Sequence, residues 1–365
     1  MVPGATNGST HKNGDSLRHV REPLVYSGSL DTFNSFDVTT VIGREFPDIQ
    51  LTDLMSSQDA DKLLRDLAII ISQRGVVFFR NQNIDLKAQK ELTQRLGELA
   101  GKPETSKLHV QPLYNSPDNT PLSDQGDTDP NGDTDPNVYV ISSKSQGKLY
   151  KSMQHRMTVS AASAYWHSDV AFENVPADYS FLRLTRTPTT GGDTLWASGY
   201  EVYDRISSSM REYFSTLTAT FAQPVFKRSA NDGGFSIVSP RGSPENVGDA
   251  FEVSHPVVRT NPVTGWRSIF AVGLHCKEID GVTPYENRMI KEYIEYLITH
   301  NHDLQVRFRW NTNDVAIWDN RSVYHTATPD LIGEREGQRT TSVGERPYFD
   351  PASTSRREAL SEELV

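Results

Sequence analysis

Residues 306–318 read VRFRWNTNDVAIW. Two short runs, Val306 to Trp310 and Asp314 to Trp318, are rich in β-branched and aromatic residues, and Asn311-Thr312-Asn313 between them is turn chemistry. The pattern extends in both directions. Val138 to Ile141, Tyr179 to Leu184, Ser268 to Val272 and Arg339 to Val343 are further β-like runs set off by turn residues. Many short strands of this kind predict a barrel or sandwich rather than a parallel βαβ fold. One clear helix, Pro284 to His300, interrupts them. Upstream, Ser57 to Ser72 carries apolar residues at helical spacing with Ser57 as N-cap, Gly75 to Arg80 reads as a buried strand, and Asp85 to Leu99 as an amphipathic helix. The expected class is α+β, mainly β.

The chain has 365 residues and a formal charge of −10. An acidic surface repels nucleic acid and anionic membrane, which points to a small-molecule substrate and to neither nucleic acid nor membrane as partner. No apolar run approaches the ~20 residues that span a bilayer, and the first thirty residues lack the apolar core of a signal peptide. A cytoplasmic location is the expectation. Cys276 is the single cysteine, so disulfides and thiolate metal sites are excluded and any metal must be held by histidine and carboxylate. Residues 1–30 are expected to form a flexible arm, followed by one catalytic domain over 31–365. Residues 115–137, where GDTDPN occurs twice, read as a long loop, a lid or an insertion near a site. No Gly-rich phosphate loop follows a strand, and no nucleophile elbow is present.

Most of the ten histidines have a bland reading. His167 stands in Tyr165-Trp166-His167-Ser168-Asp169-Val170. In extended backbone, residues i and i+2 point to one side, so His167 and Asp169 can meet one ion. Alone, an H-x-D pair reads equally as a surface histidine salt-bridged to aspartate. The run Ala316 to Ala327, AIWDNRSVYHTA, adds an aromatic-rich strand ending near His325. Two histidines and one carboxylate on one face of an octahedron leave positions open for a bidentate cosubstrate and oxygen, the facial triad of non-haem Fe(II) oxygenases. Arg339, fourteen residues beyond His325, could hold a carboxylate bidentately.

The segments WHSDVAFENVPADYSFLRLTRTPTTGGDTLWASGYEVYDRIS and DVAIWDNRSVYHTATPD resemble the taurine dioxygenase (TauD/TfdA-like) family of Fe(II)/2-oxoglutarate-dependent dioxygenases, over roughly Gly43 to Pro351. The resemblance implies a double-stranded β-helix, or jelly roll, with flanking helices, and Fe(II), 2-oxoglutarate and O2 as cofactors. It implies His167, Asp169 and His325 as iron ligands, Thr194 and Arg339 at the distal carboxylate of 2-oxoglutarate, and Trp318 near the iron, where a plain core aromatic is the alternative. The implied reaction releases succinate and CO2 and removes hydrogen from an unactivated carbon, with hydroxylation, desaturation or ring closure to follow. Family members are often dimers or tetramers, so a homo-oligomer is allowed by analogy.

Departures from the family pattern are placed at the substrate. Val343 takes the position expected for a second, substrate-binding arginine, Ala100 that of a substrate histidine, and His275 that of a pocket aromatic; Phe172 is assigned to the same pocket. His275 is a new polar anchor or a histidine satisfied by backbone. The expected substrate is small, amino-acid-like or a carboxylate, after fungal members of secondary metabolism, one of which forms an aziridine from valine. A sulfonate dioxygenase, a zinc hydrolase with the same ligands and an inactive jelly-roll binding protein are the competing readings.

Overall fold

The computed structural model describes residues 22–113, 135–144, 165–234 and 236–361. The expected lid lies outside the described residues except for 135–137, and the expected arm lies outside them up to residue 21. Residues 22–30 do not continue an arm. The Leu24 N–H donates to the Val263 carbonyl (2.8 Å), Leu30 is buried, and the backbone and hydroxyls of Ser27 and Ser29 all donate to buried Asp66.

Among the described residues a seven-stranded sheet runs in the order β1 (Phe36–Asp37), β2 (Arg44–Phe46), β3 (Val76–Phe79), β13 (Val315–Asp319), β5 (Ala177–Arg186), β15 (Glu336–Val343), β4 (Val138–Ser142). A small sheet, β12 (Gln305–Phe308), β6 (Thr194–Ser198), β14 (Val323–Ala327), packs against it. Strand alternation explains the layers. Val76, Phe78, Ala316 and Trp318 on one face of the main sheet meet Trp196, Val306, Phe308 and Val323 of the small sheet. Their neighbours Val77, Phe79, Val315 and Ile317 point the other way, into a cluster formed with the helices Leu51–Ser56, Ala60–Arg74 and Leu86–Leu99. All four residues of β3 are therefore buried. Gly75 at φ +76° ends the preceding helix and turns the chain directly into that strand.

A third cluster joins the helix Pro284–His300, the short helices Gly199–Asp204 and Ser208–Ser215, the sheet β11 (Cys276–Ile279), β7 (Thr218–Ala222), β8 (Glu252–Pro256), and the pair β9 (Val258–Thr260) and β10 (Arg267–Ile269). Among the described residues the remaining α-helices are Pro224–Gly233, beside the site, and Arg356–Leu360. No helix among the described residues is long and apolar enough to cross a membrane.

Expected elements recur with shifted ends. The helix expected from Ser57 begins at Ala60 with Asp59 at its N-cap. Ser57 closes the turn after Leu51–Ser56 instead, its hydroxyl accepting from the Asp59 N–H (3.2 Å).

Candidate active site

The site lies between the two sheets. His325 is on β14, and His167 pairs with it through reciprocal backbone hydrogen bonds, His167 N to His325 O at 3.1 Å and His325 N to His167 O at 2.9 Å. Two residues on, Asp169 is fixed from three sides. Its N–H donates to Asn320 Oδ1 (3.0 Å), the Ser180 hydroxyl on β5 donates to Oδ2 (2.7 Å), and Arg339 Nη1 on β15 donates to Oδ1 (2.6 Å). Ser180 is itself held by Asn320 Nδ2 (3.0 Å). With Oδ2 capped, Oδ1 faces the imidazoles, 3.9 Å from His167 Nε2 and 3.8 Å from His325 Nε2.

The ligand atoms of these three residues lie within 4.8 Å of one another. Burial depresses the pKa of both histidines, most strongly that of His325, so the approaches to Asp169 are ligand spacings rather than ion pairs. Burial pushes the Asp169 carboxyl up, and Arg339, the two imidazoles and the Ser180 hydrogen bond together outweigh that and hold it well below the usual carboxylate range. His167 Nδ1 meets the Tyr165 carbonyl at 2.9 Å, so it carries the proton and leaves the Nε2 lone pair for a metal. Two neutral imidazoles and an ionised carboxylate suit a divalent ion of intermediate softness such as Fe(II).

A cavity of about 300 Å³ opens onto His167 and Asp169. One wall carries His109, Tyr139, Arg339 and Thr341; Phe172, Gln223, Phe226, Leu274 and His275 are among the other lining residues. Phe172 and His275 both line this cavity. The backbone behind His275 is tight. Gly273 has φ +74°, and a Cβ there would come within 1.6 Å of the Trp166 carbonyl oxygen.

Three expected placements change, those of Ala100, Val343 and Arg339. Ala100 is the C-cap of the helix Leu86–Leu99, buried in the cluster on the outer face of the main sheet and away from the cavity. Val343 is fully buried outside the lining. The β15–β5 register slips between Thr341 and Val343, which ends the alternation that brings Arg339 and Thr341 to the cavity. Arg339 is bonded to Asp169, whereas the arginine at Thr194 is Arg335, with Nη2 3.3 Å from Thr194 Oγ1 and Nε donating to the Gly192 carbonyl (3.0 Å). Trp318 is a brace: fully buried, its ring centroid 4.8 Å from that of His325 and its Nε1 donating to Asn320 Oδ1 (3.0 Å).

Sequence reasoning missed Arg335, His109, Gln111, Tyr139, Tyr165, Gln223 and Phe226. A signal for Arg335 was present. It stands four residues before Arg339, and two arginines at i and i+4 in extended chain share a face. The aromatic and amide residues carried no such mark.

Residues 34–341 match the model of the taurine catabolism dioxygenase TauD, TfdA family. The chain is 48% identical to the alpha-ketoglutarate-dependent dioxygenase btcD of Neocamarosporium betae, covering 93% of this chain and 99% of that protein. It is 46% identical to the alpha-ketoglutarate-dependent dioxygenase oryG of Aspergillus oryzae, covering 93% and 96%. At 32% identity, over 89% of this chain and 75% of the relative, stands a putative alpha-ketoglutarate-dependent sulfonate dioxygenase of Schizosaccharomyces pombe. Among solved structures, a putative taurine dioxygenase from Burkholderia xenovorans superposes with a TM-score of 0.64 at 24% identity, over 88% of this chain and 96% of that one, which supports the fold. The chain belongs to the TauD, TfdA dioxygenase family. It is an enzyme, an alpha-ketoglutarate-dependent dioxygenase using Fe(II), 2-oxoglutarate and O2, so the zinc hydrolase and the inactive binding protein drop away.

Proposed function

We propose that His167, Asp169 and His325 hold Fe(II), that Arg335 and Thr194 hold the distal carboxylate of 2-oxoglutarate, and that Arg339 receives the anionic group of a small substrate whose unactivated C–H bond is oxidised. The facing sheets are, in this reading, a double-stranded β-helix. The observation that carries it is Arg335. Its guanidinium is buried, yet among the described residues no carboxylate lies within ion-pair distance of it. A buried charge without a counter-charge is costly, and an anionic ligand would supply one. Thr194 fits the same role. Its oxygen accepts from both Arg335 Nη2 and Trp310 Nε1 (3.0 Å), leaving its proton for a carboxylate. Thr194 pairs across the small sheet with Ala327, which lines the cavity.

When bound, iron with 2-oxoglutarate and O2 supplies the oxidising chemistry, and the cosubstrate leaves as succinate and CO2. The chain's own groups orient and shield. Ser180 and Asn320 set the Asp169 carboxylate, Arg335 and Thr194 set the cosubstrate, and the aromatic wall around Phe172 excludes water. Arg339 now donates to Asp169 Oδ1; were a metal held by His167, Asp169 and His325 to draw on that oxygen, the guanidinium would be available to the substrate.

An amino-acid-like or other carboxylate substrate fits this arrangement, with hydroxylation, desaturation or ring closure as outcomes. A sulfonate fits Arg339 equally, because a guanidinium grips either anion. Anaerobic addition of 2-oxoglutarate to the Fe(II) protein should raise a visible charge-transfer band. Succinate release across a panel of amino acids, sulfonates and aryloxy acids then ranks substrates. No band and no succinate with any substrate would sink the proposal.

A further inference from the structure

The cavity walls carry polar groups that neither the triad nor the cosubstrate clamp uses. The His109 N–H donates to the Thr341 carbonyl (2.8 Å), which seats His109 beside β15, two residues along from Arg339. His109 Nε2 and Arg339 Nε are both buried polar atoms with no protein partner. Such atoms cost free energy until a ligand meets them, and both belong to residues of the cavity wall.

Elsewhere in the lining, the His275 ring packs edge-on against Phe172, centroids 5.0 Å apart, and against His167 at 5.7 Å. Gln223 Nε2 approaches His275 Nδ1 at 3.5 Å. An amide nitrogen can only donate, so Nδ1 accepts and the ring proton sits on Nε2. With Nδ1 accepting, the ring is the neutral tautomer that carries its proton on Nε2. An uncharged ring with one N–H offers a hydrogen bond and no charge. Its natural partner is a neutral acceptor such as a carbonyl or ether oxygen. Phe172 and Phe226, whose centroids are 5.5 Å apart, supply apolar surface in the same cavity.

We propose that the cavity takes a two-headed substrate, with an anion at Arg339 and His109, a neutral hydrogen-bond acceptor at His275, and an apolar chain between them. The proposal rests on the dioxygenase reading above and adds a specificity role for His275 and His109.

The test uses the full-length Fe(II)–2-oxoglutarate complex under anaerobic conditions, with hexanoate and 5-oxohexanoate as probes, each titrated by its perturbation of the visible band. The keto acid should bind about tenfold or more tighter than hexanoate. H275F should erase that preference. H275Q, whose Nε2 can stand in for the imidazole Nε2, should restore part of it. H109F should weaken both acids alike and leave their ratio unchanged. The band formed with 2-oxoglutarate alone should persist in all three variants, showing that fold, metal and cosubstrate survive. Equal binding of the two acids, no binding of either, or a preference that survives H275F would overturn the two-headed substrate while leaving the dioxygenase intact. Absence of the band in the wild-type protein would overturn the dioxygenase reading and this proposal with it.

Discussion

Ser180 is a small residue on which much of the candidate metal centre depends. Its hydroxyl is the only side-chain donor found on Asp169 Oδ2 among the described residues, and Asn320 aims it. Groups that orient a metal ligand typically account for 10–100-fold in affinity. Ser180→Ala should therefore weaken Fe(II) binding by roughly tenfold, measured by anaerobic metal titration, with the fold unchanged by circular dichroism; unchanged affinity would remove Ser180 from the centre. Arg335→Ala should raise the 2-oxoglutarate concentration for half-formation of the visible band by about 10–100-fold, the worth of a charge-assisted hydrogen bond, whereas Arg339→Ala should leave that concentration nearly unchanged. The reverse pattern would restore Arg339 to the cosubstrate. The pairing of His167 with Asp169 was legible because i, i+2 spacing is a local rule that a sequence displays directly, whereas His325 was reached only through the resemblance of its distant segment. The division of labour between Arg335 and Arg339 was not legible. Both stand in one charged stretch, and only the way β15 pairs with β4 and β5, and the separate contacts with Thr194 and Asp169, tell them apart.

At the scale of elements, the helices whose ends carry capping chemistry were the easiest to read. Asp85 caps the helix Leu86–Leu99 by accepting from the Ala88 N–H (2.7 Å), and Thr283 with Glu286 forms a capping box before Pro284–His300. The segment 22–30 was misread because it follows a polar stretch and its partner, Asp66, lies 37 to 39 residues away. Burial alone would raise the Asp66 carboxyl, but the hydrogen bonds from Ser27 and Ser29 outweigh it and hold it below the ordinary value. A depressed carboxyl contributes stability that is present above its unfolded pKa of about 4 and is lost as pH falls through its folded value. Asp66→Asn should cost roughly 1–3 kcal/mol at neutral pH, and the gap from wild type should narrow on acidification below pH ~4; a gap independent of pH would show that the carboxylate charge is immaterial. Gly273→Ala is a harsher change. The new methyl would overlap the Trp166 carbonyl at a positive φ, so a loss of ~3 kcal/mol or more is expected in thermal unfolding, together with displacement of His275.

For the whole molecule, metal binding and stability are linked, because the candidate centre joins strands from both sheets: His325 from the small sheet, and Ser180 and Arg339 from the main one. A ligand bound only by the folded state adds about 2.7 kcal/mol at a hundredfold excess over Kd. Mn(II), a redox-quiet stand-in, should accordingly raise the Tm of the wild-type protein, and a chelator should return it. Asp169→Ala should show no such rise, and equal rises in both proteins would place the ion elsewhere. A barrel or sandwich was legible from the many short β-rich runs set off by turn residues, while the cavity was not, since its walls come from segments scattered between His109 and Thr341. The reciprocal backbone hydrogen bonds of His167 and His325 have one more consequence. The spacing of the two imidazoles is set by main-chain pairing, to which no cavity side chain contributes. The protein is thereby divided into a fixed chassis and interchangeable panels, and a library randomised at positions 109, 223, 226 and 275 should retool what is oxidised while iron loading holds constant.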